Sequence, residues 1–173
     1  MRHILISVAL LAAPASAKIV AADGHGFALR QSVDVAAPPA RTWAALIRVQ
    51  DWWSKEHSYS GKVDRLSLDP RPGGCFCERL DGGGGVEHMR VALIQPGAHL
   101  VLTGGLGPLL FEGTVGVLDL TIAKAPGGSR ITMDYRVAGF GRDNGSDLAP
   151  KVDAVLAEQL KRLVAAAERP VKR

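Results

Sequence analysis

Apolar and polar residues alternate over 27–35: Phe27, Leu29, Val33 and Val35 fall on one face, Ala28, Arg30, Ser32 and Asp34 on the other, and Gln31 is the exception. A period of two sustained this long predicts a half-buried strand. Pro38 and Pro39 stop it, and a proline suits the first turn of a helix, where its missing N–H costs nothing. Trp43, Leu46 and Ile47 then recur at helical spacing. Near Asp51 this helix gives way to WWSKEHSYSG at 52–61, read as a loop with a short second helix. From residue 63 the pattern changes to short apolar runs at 63–69, 74–80, 86–95, 99–104, 113–124 and 129–140, divided by Gly, Pro and Asp. The dividers are turn chemistry, and connections this short force neighbouring strands to run antiparallel. The last run is the cleanest, with Ile131, Met133, Tyr135 and Val137 inward and Arg130, Thr132, Asp134 and Arg136 outward.

A long helix closes the chain. Leu148, Val152, Val155, Leu156, Gln159, Leu160 and Leu163 recur at three- and four-residue steps, leaving Lys151, Asp153, Glu158, Lys161 and Arg162 for solvent. Ser146 or Asp147 is placed to cap it, with Pro150 in the first turn. Only a sheet can cover so broad an apolar side, so the fold class is α+β: about seven antiparallel strands, one or two short helices and one long C-terminal helix.

The N-terminus adds a location. Arg2 and His3 precede an almost wholly apolar run over 4–13, and Ala15-Ser16-Ala17 follows. A basic start, a short apolar run and an A-x-A site make a cleavable signal peptide over 1–17. The run is too short for a membrane span. Its removal from the 173 residues leaves 156, one domain over 18–173, and loses Arg2 from a net charge of +4 to leave +3. The basic residues are scattered, without the charged, aromatic-interleaved face of a nucleic-acid interface. The cluster over 169–173 is read as a solvated tail. No later segment is apolar enough to cross a membrane, so the expected product is periplasmic or secreted, without a membrane span. Its oligomeric state is not legible.

The order of elements, with TWAALI at 42–47, DWWS at 51–54, Pro72-Gly73-Gly74 before a strand and LAPKVDAVLAEQLKRL at 148–163, resembles the SRPBCC superfamily over about 25–168. That superfamily includes START-like lipid carriers, polyketide cyclases and homologues of the heat-shock-protein ATPase activator. The resemblance implies a helix-grip fold, a curved antiparallel sheet wrapped around the C-terminal helix with an apolar cavity between them. It implies no shared catalytic signature. Gly104, Gly105 and Gly107 before Pro108, with Gly113 and Gly116 in the next strand, mark bends that curve a sheet around something.

Candidate chemistry concentrates in GGCFCERLDGGGGVEH at 73–88, which holds both cysteines. Asp81 to Gly85 reads as a hairpin loop. Closed symmetrically about Gly83, it opposes Arg79 to Glu87, Glu78 to His88 and Cys77 to Met89; a slip of one residue reshuffles every pair. Cysteines two apart on an extended strand have Cα atoms ~6.5–7 Å apart, at the limit for a disulfide, so Cys75 and Cys77 read as free, buried thiols. A metal held by Cys75, Cys77 and His88 is conceivable, but the register opposes it and C-x-C lacks zinc spacing. No metal and no cofactor is expected, since nothing resembles a Ser-His-Asp set, a phosphate loop or a nucleotide fingerprint.

Glu78 and His88 are the catalytic candidates, an acid-base pair if their face lines the cavity and an ordinary surface pair if it is convex. Phe76 and Leu80 share Glu78's face and point it inward, whereas Met89, Val91 and Leu93 form the more apolar set of their strand and point His88 outward. Of Trp52 and Trp53, one anchors the helix on the core; core packing is the first reading of the other too, with a place in a cavity wall as the alternative, and His57, Ser58, Tyr59 and Ser60 form a polar loop that is either plainly exposed or at the cavity rim. Tyr135 lies inward beside Met133, and its hydroxyl needs a partner. His25 and His99 receive no role. The ligand-facing set is therefore Trp53, His57, Phe76, Glu78, His88, Met133 and Tyr135. Three functions follow in order: an exported module binding a small apolar molecule, a cyclase or hydratase using Glu78 with His88 or Tyr135, and an interaction module of the ATPase-activator type. Export argues against the last, whose partner is cytoplasmic.

Overall fold

The computed structural model describes residues 16–141 and 143–170. Residues 1–15, most of the predicted signal peptide, lie outside them. Eight strands form one antiparallel sheet: β1 (Ser16–Asp23), β2 (Gly26–Val35), β3 (Leu66–Leu68), β4 (Cys75–Arg79), β5 (Gly85–Gln95), β6 (His99–Gly104), β7 (Gly113–Ala125) and β8 (Gly128–Phe140). Their order is β1-β2-β8-β7-β6-β5-β4-β3, so the sheet is open, with β1 and β3 at its edges. The helices are α1 (Pro39–Leu46) and α2 (Gly145–Glu168), and single 3-10 turns cover 49–51, 55–57, 63–65 and 107–111. This is the helix-grip arrangement.

Every predicted strand is present, with one addition. β1 pairs with β2 across the tight turn after Asp23. It escaped the alternation rule because a register shift between Ile19 and Ala21 breaks its phase and leaves Ile19 and Val20 both exposed. The run at 63–69 contributes only the three residues of β3, preceded by a 3-10 turn. On the outer face of β2 and β8, Arg30 opposes Asp134 and Asp34 opposes Arg130, both bonded through two nitrogens. These cross-strand pairs contribute little stability but hold the register.

α2 lies against β1, β2 and α1. Its cap is Asn144, whose side chain accepts from the Ser146 amide at 2.8 Å, rather than Ser146 or Asp147. Pro150 therefore falls inside the helix, beyond the first turn. Gly145 fits where little else does, since a Cβ there would lie 2.3 Å from the Gly26 carbonyl oxygen. Leu156, Leu160 and Leu163 are buried, each worth about 1.5–3 kcal/mol relative to exposure. Gln31, out of pattern in β2, is buried because it reaches α2: its Nε2 donates to the Asp153 carbonyl at 2.8 Å and carboxylate at 2.7 Å.

The β4–β5 hairpin departs from both expectations drawn for it. Glu78 pairs with Val86 and Cys77 with Glu87, two residues away from the symmetric register. The pairing then shifts: Phe76 opposes Met89, so His88 is an extra residue on β5. Such a bulge resets the side-chain phase, and His88 and Met89, adjacent in sequence, are both buried. The cysteines are not free. Cys75 and Cys77 are disulfide-bonded with Cα atoms 5.3 Å apart. The expectation of free thiols assumed a fully extended strand; β4 is less extended there, and a Cα separation of 5.3 Å is within bridging range.

Candidate functional site

A pocket of about 480 Å³ lies between the inner face of the sheet and α2. Its walls come from three places. The loop after α1 supplies Trp53, His57 and Tyr59; the segment after β6 supplies Leu106, Leu109 and Phe111; α2 supplies Leu148, Val152, Val155 and Leu156. His88 and Tyr135 reach it from β5 and β8. Leu148, Val152 and Val155 are only half-buried, although they continue the apolar side of α2, because that side faces the pocket there.

Glu78 is 1% exposed and organises one wall. Its carboxylate accepts from the Tyr59 amide at 3.0 Å, from the Ser60 amide and from His88 Nε2, the last pair 3.0 Å apart. Burial alone would raise its carboxyl, but hydrogen bonds from Ser60, the Tyr59 amide and His88 outweigh it and hold the group below the usual carboxylate range. His88, 3% exposed, is lowered by desolvation, which Glu78 only partly offsets. Its ring sits between Phe76 and Tyr59, with centroids 4.9 and 5.7 Å away. The bulge delivers it: without the extra residue, Met89 and His88 would lie on opposite faces.

Tyr135 is fully buried, and burial raises its hydroxyl well above the ordinary phenol value, so it remains protonated. The Leu106 backbone offsets this slightly, but lies outside hydrogen-bond geometry to the hydroxyl. The ring has room because residue 116 carries no side chain: a Cβ on Gly116 would lie 2.6 Å from the hydroxyl oxygen. At the rim the Tyr59 hydroxyl donates to the Gly107 carbonyl at 2.9 Å, tying the loop of 52–61 to the segment after β6. Trp53 Nε1 donates to the His57 carbonyl at 2.7 Å, and Gln159 of α2 meets both the Ser54 amide and His57 Nδ1.

Of the residues singled out by sequence, Trp53, His57, His88 and Tyr135 line the pocket. Phe76 and Glu78 stand behind His88 and hold it, while Met133 packs in the core, opposite Gln31 and Leu120. Trp52 is the core anchor, its Nε1 donating to the Leu46 carbonyl at 3.2 Å. His99 pairs with Asp119 at 2.8 Å, away from the pocket. The segment 106–111 was missed, although LGPLLF is an apolar run inside a turn and so carries a surface it must bury somewhere. Among the described residues, no three His, Cys, Asp or Glu side chains converge as a metal set. No helix among them is long and apolar enough to cross a membrane.

An open antiparallel sheet gripping one long helix, with a pocket between them, defines a helix-grip domain. The family model for polyketide cyclase / dehydrase and lipid transport matches residues 27–168, and the chain belongs to that family, within the SRPBCC superfamily. The match does not single out the heat-shock ATPase activator branch. No curated protein matches the chain. Among solved structures, an uncharacterized protein from Rhizobium leguminosarum is similar with a TM-score of 0.63 at 20% identity, covering 91% of this chain and 100% of that one. Protein MLL2253 from Mesorhizobium loti gives 0.61 at 18% identity, over 84% and 99% of the two chains. Protein CV1439 from Chromobacterium violaceum gives 0.58 at 18% identity, over 83% and 98%. At these identities the likeness is one of fold.

Proposed function

We propose that the chain is an exported small-molecule-binding protein that holds an apolar or aromatic, lipid-like ligand between its sheet and α2. The pocket of about 480 Å³ carries this reading, with Leu, Val, Trp and Phe side chains over most of its wall and Glu56, His57, Ser58 and Lys151 among its polar lining. That volume is in the usual range for small-molecule sites, about 300–1,000 Å³, which are apolar with a few placed polar groups. The family's lipid transport description supports the same reading. Export rests on the sequence over 1–17, and cleavage there leaves Lys18 as the first residue. Native mass spectrometry of protein purified from its own periplasm tests both parts. The expected result is a chain beginning at Lys18 with a small apolar adduct that is lost on unfolding. A chain retaining Met1 refutes cleavage after Ala17, and a chain found only in the cytoplasmic fraction refutes export; an adduct-free protein that also fails to take up an apolar dye refutes binding.

One observation favours a second reading, an enzyme of the cyclase or hydratase kind. His88 lines the pocket with Tyr135, and Glu78 stands behind it in contact at 3.0 Å, the contact an acid-base pair requires. If the co-purified molecule is consumed by the protein, Glu78→Gln should slow turnover by about 10²–10⁴, the usual contribution of general acid-base catalysis. Turnover unaffected by that change removes Glu78 from any mechanism.

A further inference from the structure

The Cys75–Cys77 bridge lies on the face of the sheet away from the pocket. Cys75 opposes Arg90 and Cys77 opposes Glu87, and residues opposed across paired strands share a face. Arg90 and Glu87 are exposed and form an ion pair with each other. On its other side Cys77 opposes Ser67 of the edge strand β3, which is exposed too. Phe76, between the two cysteines, points the other way and is buried. The half-buried bridge thus stands among solvent-exposed neighbours one strand from the sheet edge, where a thiol in solution can meet it.

Two features make this bridge easy to open. A fold protects a disulfide by holding its sulfurs closer than the free chain would, and with one intervening residue there is little left to add. Here the strand also works against closure. An extended strand sets alternate Cα atoms ~6.5–7 Å apart, whereas those of Cys75 and Cys77 are 5.3 Å apart. Exposed bridges that the fold does not reinforce are the ones that exchange with other thiols.

We propose that Cys75–Cys77 is a thiol–disulfide exchange site whose partner is a dithiol, and that its redox state sets the shape of the pocket wall. One thiolate of the partner attacks a sulfur of the bridge, the S–S bond breaks, and the released cysteine thiolate takes up a proton. The partner's second thiolate then attacks its own sulfur in the mixed disulfide and frees the other cysteine, which is protonated in turn. Two electrons and two protons pass to Cys75 and Cys77, and the partner leaves as a disulfide. The effect reaches the pocket through β4. Phe76 packs against His88 and Trp53, with ring centroids 4.9 and 5.2 Å away, and Glu78 holds His88 and the Tyr59 and Ser60 amides. With the bridge open, β4 can lengthen by ~1–2 Å between residues 75 and 77. That moves Phe76 and Glu78 off the positions that fit His88 into the wall, so the reduced protein holds a ligand more weakly. This second part rests on the pocket being a ligand site.

The oxidised protein is treated with dithiothreitol in native buffer and in subdenaturing urea, and freed thiols are counted by mass after alkylation. Two labels per chain are expected, at a rate that the urea leaves unchanged. A rate that climbs steeply with urea means that the sulfurs are reached only on unfolding, and overturns the exchange site; so do two labels before any reductant is added. The pocket is read separately, with the uncharged dye N-phenyl-1-naphthylamine. Reduced wild type and the double variant Cys75→Ser, Cys77→Ser should both bind it severalfold more weakly than the oxidised wild type, and dithiothreitol should not change binding by the variant. Equal binding by oxidised and reduced wild type overturns the link to the wall and leaves the exchange site standing. Dye uptake by neither form overturns the ligand site, a result on which the thiol count does not depend.

Discussion

Gly116→Ala adds one methyl group where the structure has no room for it. The new Cβ would lie 2.6 Å from the Tyr135 hydroxyl oxygen, 2.8 Å from a carbon of its ring and 2.9 Å from the Gly104 carbonyl oxygen. The last is backbone in a neighbouring strand and cannot retreat without moving β6. Gly116 is not among the glycines with positive φ, so alanine meets no conformational objection and the contact alone decides. Overpacking of this kind costs about 1–3 kcal/mol, and three contacts below 3.0 Å place it toward the upper end. The unfolded chain gives back about 0.4–1 kcal/mol of entropy. The net loss is about 1–2.5 kcal/mol, a fall in melting temperature of roughly 2–10 °C for a domain of this size. The displaced ring has only the cavity to enter, so uptake of an apolar dye should fall as well. Differential scanning calorimetry on Gly116→Ala, Tyr135→Phe and the double variant reads the effect. Tyr135→Phe removes the nearest contact, so the double variant should recover about 1 kcal/mol relative to Gly116→Ala. A single variant that melts and binds like the wild type, or strictly additive changes, would show that Tyr135 is not packed under residue 116.

Three further outcomes follow from the same wall. Glu78→Ala strands the Tyr59 and Ser60 amides and His88 Nε2, and should cost about 2–4 kcal/mol in urea unfolding, with faster proteolysis within 52–61; a loss below 1 kcal/mol would contradict the anchoring of that loop. Acid should destabilise the fold in two stages. His88 is depressed below 6.5 by burial, so the unfolded chain gains a proton before the folded one as pH falls through 6.5, and stability drops. Glu78 is depressed below 4.5 and extends the loss beneath that value. His88→Phe should flatten the limb between pH 6.5 and 4.5, and an unchanged slope there would refute the depressed histidine. The Cys75–Cys77 bridge closes so small a loop that its reduction should cost no more than about 2 kcal/mol. Alkylation of unreduced, unfolded protein should add no label, and two labels would contradict the bridge.

Strand content was readable because this chain separates its strands with Gly, Pro and Asp and keeps clean alternation in β2 and β8. The α2 stripe was readable for the same reason, and the helix-grip arrangement follows from those elements and from the family likeness. What alternation cannot show is a change of phase. One extra residue at His88 turns it and Met89 to the same side, and a second shift between Val91 and Leu93 leaves Leu93 exposed. Apolar counting along β5 thus pointed His88 outward, when tertiary pairing turns it in. The argument about Cys75 and Cys77 assumed a fully extended strand, whereas their Cα atoms are only 5.3 Å apart. Gln31 looked like an error in β2 until Asp153 supplied its partner from α2, a contact 122 residues away in sequence. Leu106 to Phe111 carry no period at all, and only the cavity they line explains their apolar character.

The space beneath α2 can be tested most directly by filling it. Val155 is half-buried on α2 and lines the pocket. Titration with the uncharged dye N-phenyl-1-naphthylamine should saturate at one molecule per wild-type chain. Val155→Trp should bind it at least tenfold more weakly while melting no lower than the wild type. A folded wild type that takes up no dye, or a Val155→Trp protein that binds it as well as the wild type, would contradict a ligand cavity between the sheet and its helix.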